Sequence, residues 1–290
     1  MTAPQNSLPG ASPETIASVT PPTIGVFDSG FGGLTVLRAL IQRLPRARFA
    51  FIGDTARLPY GSKSRRTIAR YAAQSAQFLV REQGAEFLVI ACNTASALAL
   101  DAIQDAVPVP VLGVIEPGAS AARAASKTGD VLVIATDATV HSHAYLAACQ
   151  AQGLRAIERA CPLLVPLVEE GWTNHPVTAE VIRIYLDELN AEAKAAGLNP
   201  DTLVLGCTHY PLLRPLIEAA VPQGVRVIDS AESTAETARG QFGSRFATEP
   251  ALSNPEIRCF ASDSVEKFER LGSRFLGRPT GNVELVDLGG

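Results

Sequence analysis

The sequence predicts an α/β protein made of two doubly wound parallel-sheet domains, related by a pseudo-two-fold duplication and facing each other across one site. Short apolar runs alternate with longer Ala- and Leu-rich helical segments, as they do in parallel sheets. Two segments are also alike, FLVIACNTAS at 87–96 and TLVLGCTHYP at 202–211. In each, an apolar run ends in a small residue, a cysteine and a hydrogen-bonding residue. We expect the two thiols to face each other and to act as a symmetric acid/base pair.

The chain begins with a segment of a different character. Residues 1–22 (MTAPQNSLPGASPETIASVTPP) are rich in Pro, Ser, Thr and Ala and lack apolar periodicity. Such a segment buries too little apolar surface to offset the entropy lost on ordering. The sequence therefore predicts a disordered extension at 1–22.

Alternating strands and helices are predicted from residue 23 onward. The first helix is indicated by Leu34, Leu37, Leu40 and Ile41 at helical spacing before Pro45. The tail at 276–290 is predicted to hold one further short strand. The main predicted strands are apolar runs near 24–28, 49–52, 87–91, 111–115, 131–135, 202–206 and 225–228.

The two halves look like duplicates. IGVFDSG at 24–30 opens the first half and VLVIATDATV at 131–140 opens the second, and each half then carries one of the matched cysteines. In open α/β sheets, ligands bind beyond the carboxyl ends of the strands. Both cysteines and both polar strand ends lie there, so one ligand is expected between two thiols.

Composition limits the class of protein. No apolar run reaches the roughly 18 residues of a membrane span, and no basic start with an apolar core marks a signal peptide. Five cysteines without a CxxC pattern favour reduced thiols, and thus the cytoplasm, over a disulfide framework. A net charge of −4 provides no basic footprint for nucleic acid. We therefore expect neither a membrane nor a nucleic acid as a partner.

Both cysteines are predicted to end a strand and open a helix. Asn93 and Thr94 follow Cys92, while Thr208 and His209 follow Cys207. Free N–H groups and positive potential at a helix N-terminus favour a thiolate and any bound carboxylate, so the substrate is expected to be an anion. A single buried cysteine is usually no more than a small apolar side chain, but two matched cysteines favour a chemical role.

His209 has both a functional and a structural interpretation. Two residues from Cys207, it is placed to tune that thiol or shuttle its proton, whereas many buried histidines are only packed and hydrogen-bonded. A zinc site made of Cys92, Cys207 and His209 has no standard ligand spacing. No metal is therefore predicted.

The segment FDSGFGGLT suggests a rival function, binding of a dinucleotide. Its glycines stand between a strand and a helix, and Asp54 follows the second strand as a ribose-binding acid would. However, the third glycine of the fingerprint is replaced by Thr35, and Asp28 would place negative charge near a pyrophosphate. A nucleotide-dependent oxidoreductase is thus the weaker hypothesis, and Asp28 suits an amino group better.

Six motifs together carry a family resemblance that runs from about residue 24 to 275. In chain order they are DSGFGGLTV at 28–36, GDTARLPYG at 53–61, ACNTAS at 91–96, ATDATVHSHAY at 135–145, VPLVEEG at 165–171 and GCTHYPLL at 206–213. With them the chain resembles the cofactor-independent amino-acid racemases of the aspartate/glutamate group, and PYG, CNT and CTH are similar to the glutamate branch. The resemblance implies a site for L- or D-glutamate between two α/β domains and no cofactor.

The resemblance also implies roles for individual residues. Cys92 would deprotonate D-glutamate and Cys207 L-glutamate, with Asp28 near the first thiol and His209 near the second. Glu169 would assist Cys207, although Glu170 beside it is an alternative. The substrate-binding positions that carry over are Asp28, Ser29, Pro59, Tyr60, Gly61, Asn93, Thr94, Thr136, Thr139, Thr208 and His209. Ala135 departs from the family's pattern, which has a glycine there.

Domain organisation and biological setting follow from the same resemblance. The domains are predicted as 23–115 plus 230–290 and as 116–229, with boundaries in GVIEPG and DSAES. We expect a homodimer that supplies D-glutamate for peptidoglycan synthesis. Racemisation of aspartate or another acidic amino acid remains the nearest alternative, and an amino-acid binding protein without catalysis is the alternative from another class.

Overall fold

The computed structural model describes residues 21–246 and 255–289. The predicted extension at 1–22 therefore lies outside the described residues except for its last two, of which Pro22 accepts a main-chain hydrogen bond from Arg48. The strands of the described part are β1 (Thr23–Asp28), β2 (Arg48–Gly53), β3 (Ala85–Ile90), β4 (Val111–Gly113), β5 (Asp130–Ala135), β6 (Arg155–Ala160), β7 (Thr202–Gly206), β8 (Arg226–Asp229), β9 (Ile257–Ala261) and β10 (Val283–Leu285).

These strands form two parallel sheets. The larger has the order β10-β9-β2-β1-β3-β4 and the smaller β6-β5-β7-β8, with every paired neighbour parallel. In both sheets the first strand of the half lies between the second and the third, and the fourth follows the third. The predicted fold class is confirmed, and the shared strand order is what a duplication produces.

Helices connect the strands. Ser64 caps the helix that begins at Arg65 by accepting a hydrogen bond from the Thr67 amide, and Asp229 caps the helix that begins at Ser230 through the amides of Ala231 and Glu232. None of the helices in the described ranges is long and apolar enough to cross a membrane. The α-helices of the described part are α1 (Leu34–Arg43), α2 (Arg65–Arg81), α3 (Asn93–Leu98), α4 (Leu100–Ala106), α5 (Ile115–Ala125), α6 (Asp137–Ser142), α7 (Ala144–Ala151), α8 (Leu164–Glu169), α9 (Pro176–Ala195), α10 (Arg214–Ala220), α11 (Ser230–Phe242) and α12 (Val265–Leu276).

Some elements differ from the sequence-based expectation. The strand expected at 111–115 ends at Gly113, because Ile115 already begins α5 and Pro117 fits the first turn of a helix. Strand β6 was not expected, since its sequence RAIERA carries three charges; it is an edge strand whose Arg155 pairs with Asp130 of β5 at 2.7 Å. Strand β9 also escaped prediction, whereas β10 lies in the tail where a short strand was expected.

A continuous apolar core joins the two sheets. One cluster of buried side chains includes Val26 and Val89 of the larger sheet together with Leu132 and Leu205 of the smaller. The larger sheet takes its strands from 23–113 and 257–285 and the smaller from 130–229. The predicted boundaries fall at the starts of α5 and α11, and as boundaries they stay predictions.

Candidate functional site

Cys92 lies between β3 and α3 and is nearly enclosed, with 5% of its surface exposed. Its sulfur accepts a hydrogen bond from the Ala95 amide at 3.4 Å, which makes it the cap of α3. Its thiol donates to Ser29 Oγ, also at 3.4 Å. The first cysteine is therefore held by a helix start on one side and by the loop after β1 on the other.

Asp28 ends β1 and sets the charge around Cys92. One carboxylate oxygen accepts from the Gly30 amide at 3.0 Å, while Oδ1 is buried and has no partner in the described structure. Burial raises the pKa of Asp28. Burial and then the negative charge of Asp28 raise the pKa of the Cys92 thiol to about 12. Cys92 is thus held as a protonated thiol.

Cys207 follows β7 in a setting that differs from the predicted one. The expectation that it opens an α-helix is wrong, because a 3₁₀ helix at Tyr210–Leu213 comes next and α10 begins only at Arg214. Pro211 and Pro215 explain this, since neither supplies the N–H that a continuing α-helix needs. Any effect of a helix dipole on Cys207 is therefore weaker than expected.

His209 is the main charged neighbour on the Cys207 side. Its Nε2 lies 3.4 Å from Glu169 Oε1, and its Nδ1 lies 3.4 Å from Thr208 Oγ1. The ring packs edge-on against Phe275 of the larger-sheet domain, with centroids 5.0 Å apart. Burial lowers the pKa of His209, but interactions with Cys207 and Glu169 outweigh it and raise the pKa to about 10. These contacts favour the imidazolium form of His209.

Glu169, at the end of α8, is the glutamate that faces His209. Its Oε2 lies 3.2 Å from Lys267 Nζ of α12. Burial raises the pKa of Glu169, but His209 and Lys267 outweigh burial and hold it below its ordinary value. Glu170 is exposed to solvent. Of the two adjacent glutamates, the geometry thus places Glu169 beside the second thiol's histidine, and Lys267 is a contact that sequence reasoning missed.

Threonines from both halves meet at the domain interface. Thr94 Oγ1 lies 3.0 Å from Thr136 Oγ1 and 3.3 Å from Thr139 Oγ1, and the last two are 2.9 Å apart. A second bridge runs from the Thr35 hydroxyl to the Thr208 carbonyl at 3.2 Å. The structure therefore brings Thr94, Thr136 and Thr139 together as expected of one site, while Thr35 was not foreseen.

The loop at 59–61 also approaches the second half. Tyr60 is buried and donates its hydroxyl hydrogen bond to Asp54 at 2.6 Å, so it presents no free hydroxyl. Asp54 further accepts from Ser262 at 2.8 Å, and these protein partners occupy the carboxylate that a ribose would need. A Cβ on Gly61 would lie 3.8 Å from the Thr136 side chain, next to Pro59 and Tyr60 in the chain.

Asn93 has a partner that the sequence did not point to. The buried Tyr145 of α7 donates a hydrogen bond to Asn93 Oδ1 at 2.8 Å, and Asn93 Nδ2 is buried without a partner among the described residues. The motif ATDATVHSHAY ends at Tyr145, which was the available signal. Unpartnered buried atoms are rare in native proteins. At this site two such atoms are Asp28 Oδ1 and Asn93 Nδ2, whereas His209 Nε2 has Glu169 as its ion-pair partner.

Both thiols are nearly enclosed, with 5% of Cys92 and 5% of Cys207 exposed. Two surface cavities, of about 380 and 360 Å³, lie elsewhere: the first is next to Arg226 and Asp229, the second next to Ser264. Within 21–246 and 255–289, no group of three or more His, Cys, Asp or Glu side chains is arranged to hold a metal ion. The arrangement offers a carboxylate, an amide donor and a cation around two buried thiols, which suits a small zwitterion carrying extra negative charge.

Comparisons with known proteins place the chain among relatives of similar sequence and fold. The family model for Asp/Glu/hydantoin racemases matches residues 24–238. The chain is 54% identical over 290 residues to a glutamate racemase from Koribacter versatilis, covering 93% of this chain and 98% of that protein. A crystal structure of a glutamate racemase isoform from Bacillus anthracis superposes with a TM-score of 0.84 at 36% identity, covering 93% of this chain and 98% of that one.

A second crystal structure contains an amino acid. It is glutamate racemase from Francisella tularensis in complex with D-glutamate, which has a TM-score of 0.82 and 36% identity over 93% of this chain and 98% of its own. The family match spans most of the chain, and the Koribacter relative shares more than half of the aligned residues. The protein therefore belongs to the Asp/Glu/hydantoin racemase family.

Proposed function

We propose that the protein interconverts L- and D-glutamate by transferring the proton at Cα between two cysteines. The observation that carries this proposal is the placement of two buried free thiols, Cys92 after β3 and Cys207 after β7, at the carboxyl ends of equivalent strands in the two halves. Glutamate as the substrate is supported by the similarity to proteins named glutamate racemase, one of them in complex with D-glutamate.

The unpartnered atoms support a pose for the amino acid. Asp28 Oδ1 is an acceptor that suits the α-ammonium group, and Asn93 Nδ2 is a donor that suits a carboxylate. Main-chain N–H groups and hydroxyls at 93–94 and at 208 supply further donors. Together these groups would stabilise the negative charge that develops when the weakly acidic α-proton leaves.

The two thiols are proposed to act in opposite protonation states. In the direction from L- to D-glutamate, Cys207 as thiolate removes the α-proton and the Cys92 thiol delivers a proton to the other face. The raised pKa of Cys92 supports its role as the proton donor in this direction, and His209 lies two residues from Cys207 as its cationic neighbour. Closed domains would exclude water and protect the carbanion from solvent protons.

Circular dichroism with enantiopure amino acids tests the proposal. The protein is expected to racemise L- and D-glutamate, and Cys92→Ser and Cys207→Ser are each expected to slow turnover by about 10²- to 10⁴-fold. Cys259→Ser serves as the matched control, because Cys259 is a buried free thiol on β9, outside the proposed site. Full-rate racemisation by either site variant would overturn the two-thiol mechanism.

The same assay separates the alternatives. Turnover of L-aspartate in preference to L-glutamate would assign the aspartate alternative. Tight binding of glutamate without any inversion would indicate a binding protein. A thermal shift with NAD but not with glutamate would favour the oxidoreductase, although Asp54 is already hydrogen-bonded to Tyr60 and Ser262.

The setting of the enzyme is also a proposal. Five free buried cysteines suit a reducing cytoplasm, and the product D-glutamate would serve peptidoglycan synthesis. A homodimer is supported by the apolar surface of α8–α9, where Leu163, Trp172, Val177 and Ile184 are exposed. Light scattering would test the dimer, and depletion of the protein with rescue by added D-glutamate would test the role in cell-wall synthesis.

A further inference from the structure

Tyr145 forms a hydrogen bond between the two halves of the molecule. It stands on α7, after β5 of the smaller sheet, while Asn93 begins α3, after β3 of the larger sheet. The tyrosine is fully buried, and its hydroxyl lies 2.8 Å from Asn93 Oδ1. Burial raises the pKa of Tyr145, so its hydroxyl keeps its proton and remains a donor. The bond can exist only while the two halves are in contact.

The fold makes room for this phenol ring. A Cβ on Gly206 would lie 2.9 Å from Tyr145 Cε2, and a Cβ on Gly118 would lie 3.2 Å from the Tyr145 hydroxyl oxygen. Neither glycine has the positive φ that would require glycine for the backbone. Their lack of a side chain is therefore used for space, and that space fixes the ring and aims its hydroxyl.

The hydrogen bond also fixes the Asn93 amide. With Oδ1 accepting from Tyr145, Nδ2 points away from the tyrosine, and this Nδ2 is buried without a partner. A buried amide donor without a partner costs free energy unless a ligand accepts from it. Rotation of the Asn93 amide by half a turn would instead point its oxygen at the carboxylate, and the two oxygens would repel each other.

We propose that Tyr145 is a positioning residue for racemisation: it holds Asn93 Nδ2 toward the carboxylate of the bound amino acid, and does so only when the domains are closed. The inference rests on the proposed function of this site. Closure and correct orientation of the donor are thereby one event. A substrate bound between open domains would meet an amide that is free to turn, so the barrier to proton abstraction falls only after closure.

A double-mutant cycle of Tyr145→Phe and Asn93→Ala tests this inference. Phenylalanine keeps the ring between the two glycines and removes only the hydroxyl. We expect Asn93→Ala to lower kcat by about 100-fold, the typical effect of losing one donor to a developing oxyanion. Tyr145→Phe should lower kcat by about 10-fold with a smaller change in KM, because a tenfold loss corresponds to ~1.4 kcal/mol, about the free energy of the one hydrogen bond that orients the amide.

The decisive result is the double variant. If Tyr145 acts through Asn93, the double variant is no slower than Asn93→Ala alone. If the two losses multiply, or if Tyr145→Phe keeps full kcat, the positioning role is overturned. Tyr185→Phe is the control for loss of a hydroxyl, since its oxygen accepts a solvent-exposed hydrogen bond from the Leu163 amide at 3.4 Å. It should keep full activity.

The outcome is separable from that of the proposed function. The wild-type enzyme is first assayed with both glutamate and aspartate, and the cycle is then measured with whichever one it racemises. Preference for aspartate would change the proposed substrate and leave the cycle informative, because both amino acids carry the same α-carboxylate. Thermal unfolding of each variant checks that the protein is folded, so that a loss of kcat can be assigned to the site. Asn93→Ala leaves the Tyr145 phenol in place.

Discussion

Replacing Gly32 by alanine tests whether the loop after β1 must touch the second half of the molecule. A Cβ on Gly32 would lie 2.3 Å from Thr208 Oγ1 and 2.6 Å from His209 Nδ1. Ordinary van der Waals contact begins at 3.4 Å. The loop and the Thr208–His209 segment must therefore move apart by roughly 1 Å, a displacement that is large on the scale of catalytic geometry.

The expected effect is on turnover more than on folding. A misplacement of about 1 Å lowers rates about 100-fold, which corresponds to ~2.7 kcal/mol in the free energy of activation. The free energy of unfolding should fall by about 1–3 kcal/mol, as for other overpacked contacts. Initial rates of glutamate racemisation, followed by circular dichroism, and urea unfolding measure the two quantities.

Gly240→Ala is the matched control for this substitution. Gly240 is exposed on α11, and a Cβ there would meet no atom within 4 Å. Racemisation should be unchanged, and the free energy of unfolding should rise by about 0.5–1 kcal/mol because alanine is the better helix former. Full activity of Gly32→Ala would refute the close contact between the loop and His209.

Three further predictions follow from the charges of the site. Glu169→Gln removes the ion pair with His209 and lowers its pKa from about 10, so the alkaline limb of the pH–rate profile should move to lower pH; an unmoved limb would contradict this role. Because the folded pKa of His209 is raised, its charge stabilises the fold fully below the ordinary value of about 6.5 and loses that effect as the pH rises through about 10. The stability gap between wild type and His209→Asn in urea should therefore narrow over this range, and a constant gap would argue for packing alone. Asp28→Asn removes a charge that raises the pKa of Cys92, so in a Cys207→Ser background the thiolate absorbance of Cys92 should appear at lower pH; no change would mean that burial alone sets that pKa.

The sequence predicted those parts of the fold that depend on local apolar pattern. The runs ending at Asp28, at Cys92 and at Cys207 are strands buried on both faces, and such strands read as continuous apolar segments. Strand β6 could not be recognised, because its charged residues are tolerated only at a sheet edge where Asp130 pairs with Arg155. This segment is a strand because it pairs with β5, which is distant in the chain.

The residues of the candidate site also fall into those that the sequence predicts and those that it does not. Residues at strand ends, such as Asp28 and Cys92, are predictable because the topology of a parallel sheet collects them at one edge. Tyr145 and Lys267 were missed because each acts through a contact between the two halves, and the motif that ends at Tyr145 does not reveal its contact with Asn93. Both cysteines were predicted to open a helix, but only Cys92 does so. Pro211 prevents an α-helix from starting directly after Cys207.

In the proposed mechanism, two different thiols transfer the α-proton, one on each face of Cα. The most direct test incubates wild-type enzyme with L-glutamate in D₂O, stops the reaction early and separates the enantiomers for mass spectrometry. Transfer by two thiols should yield D-glutamate that carries deuterium at Cα and recovered L-glutamate that keeps its protium, because Cys207 removes one proton and Cys92 supplies another. D-glutamate that retains the original protium would contradict it, since a single group would then have removed and returned the same proton.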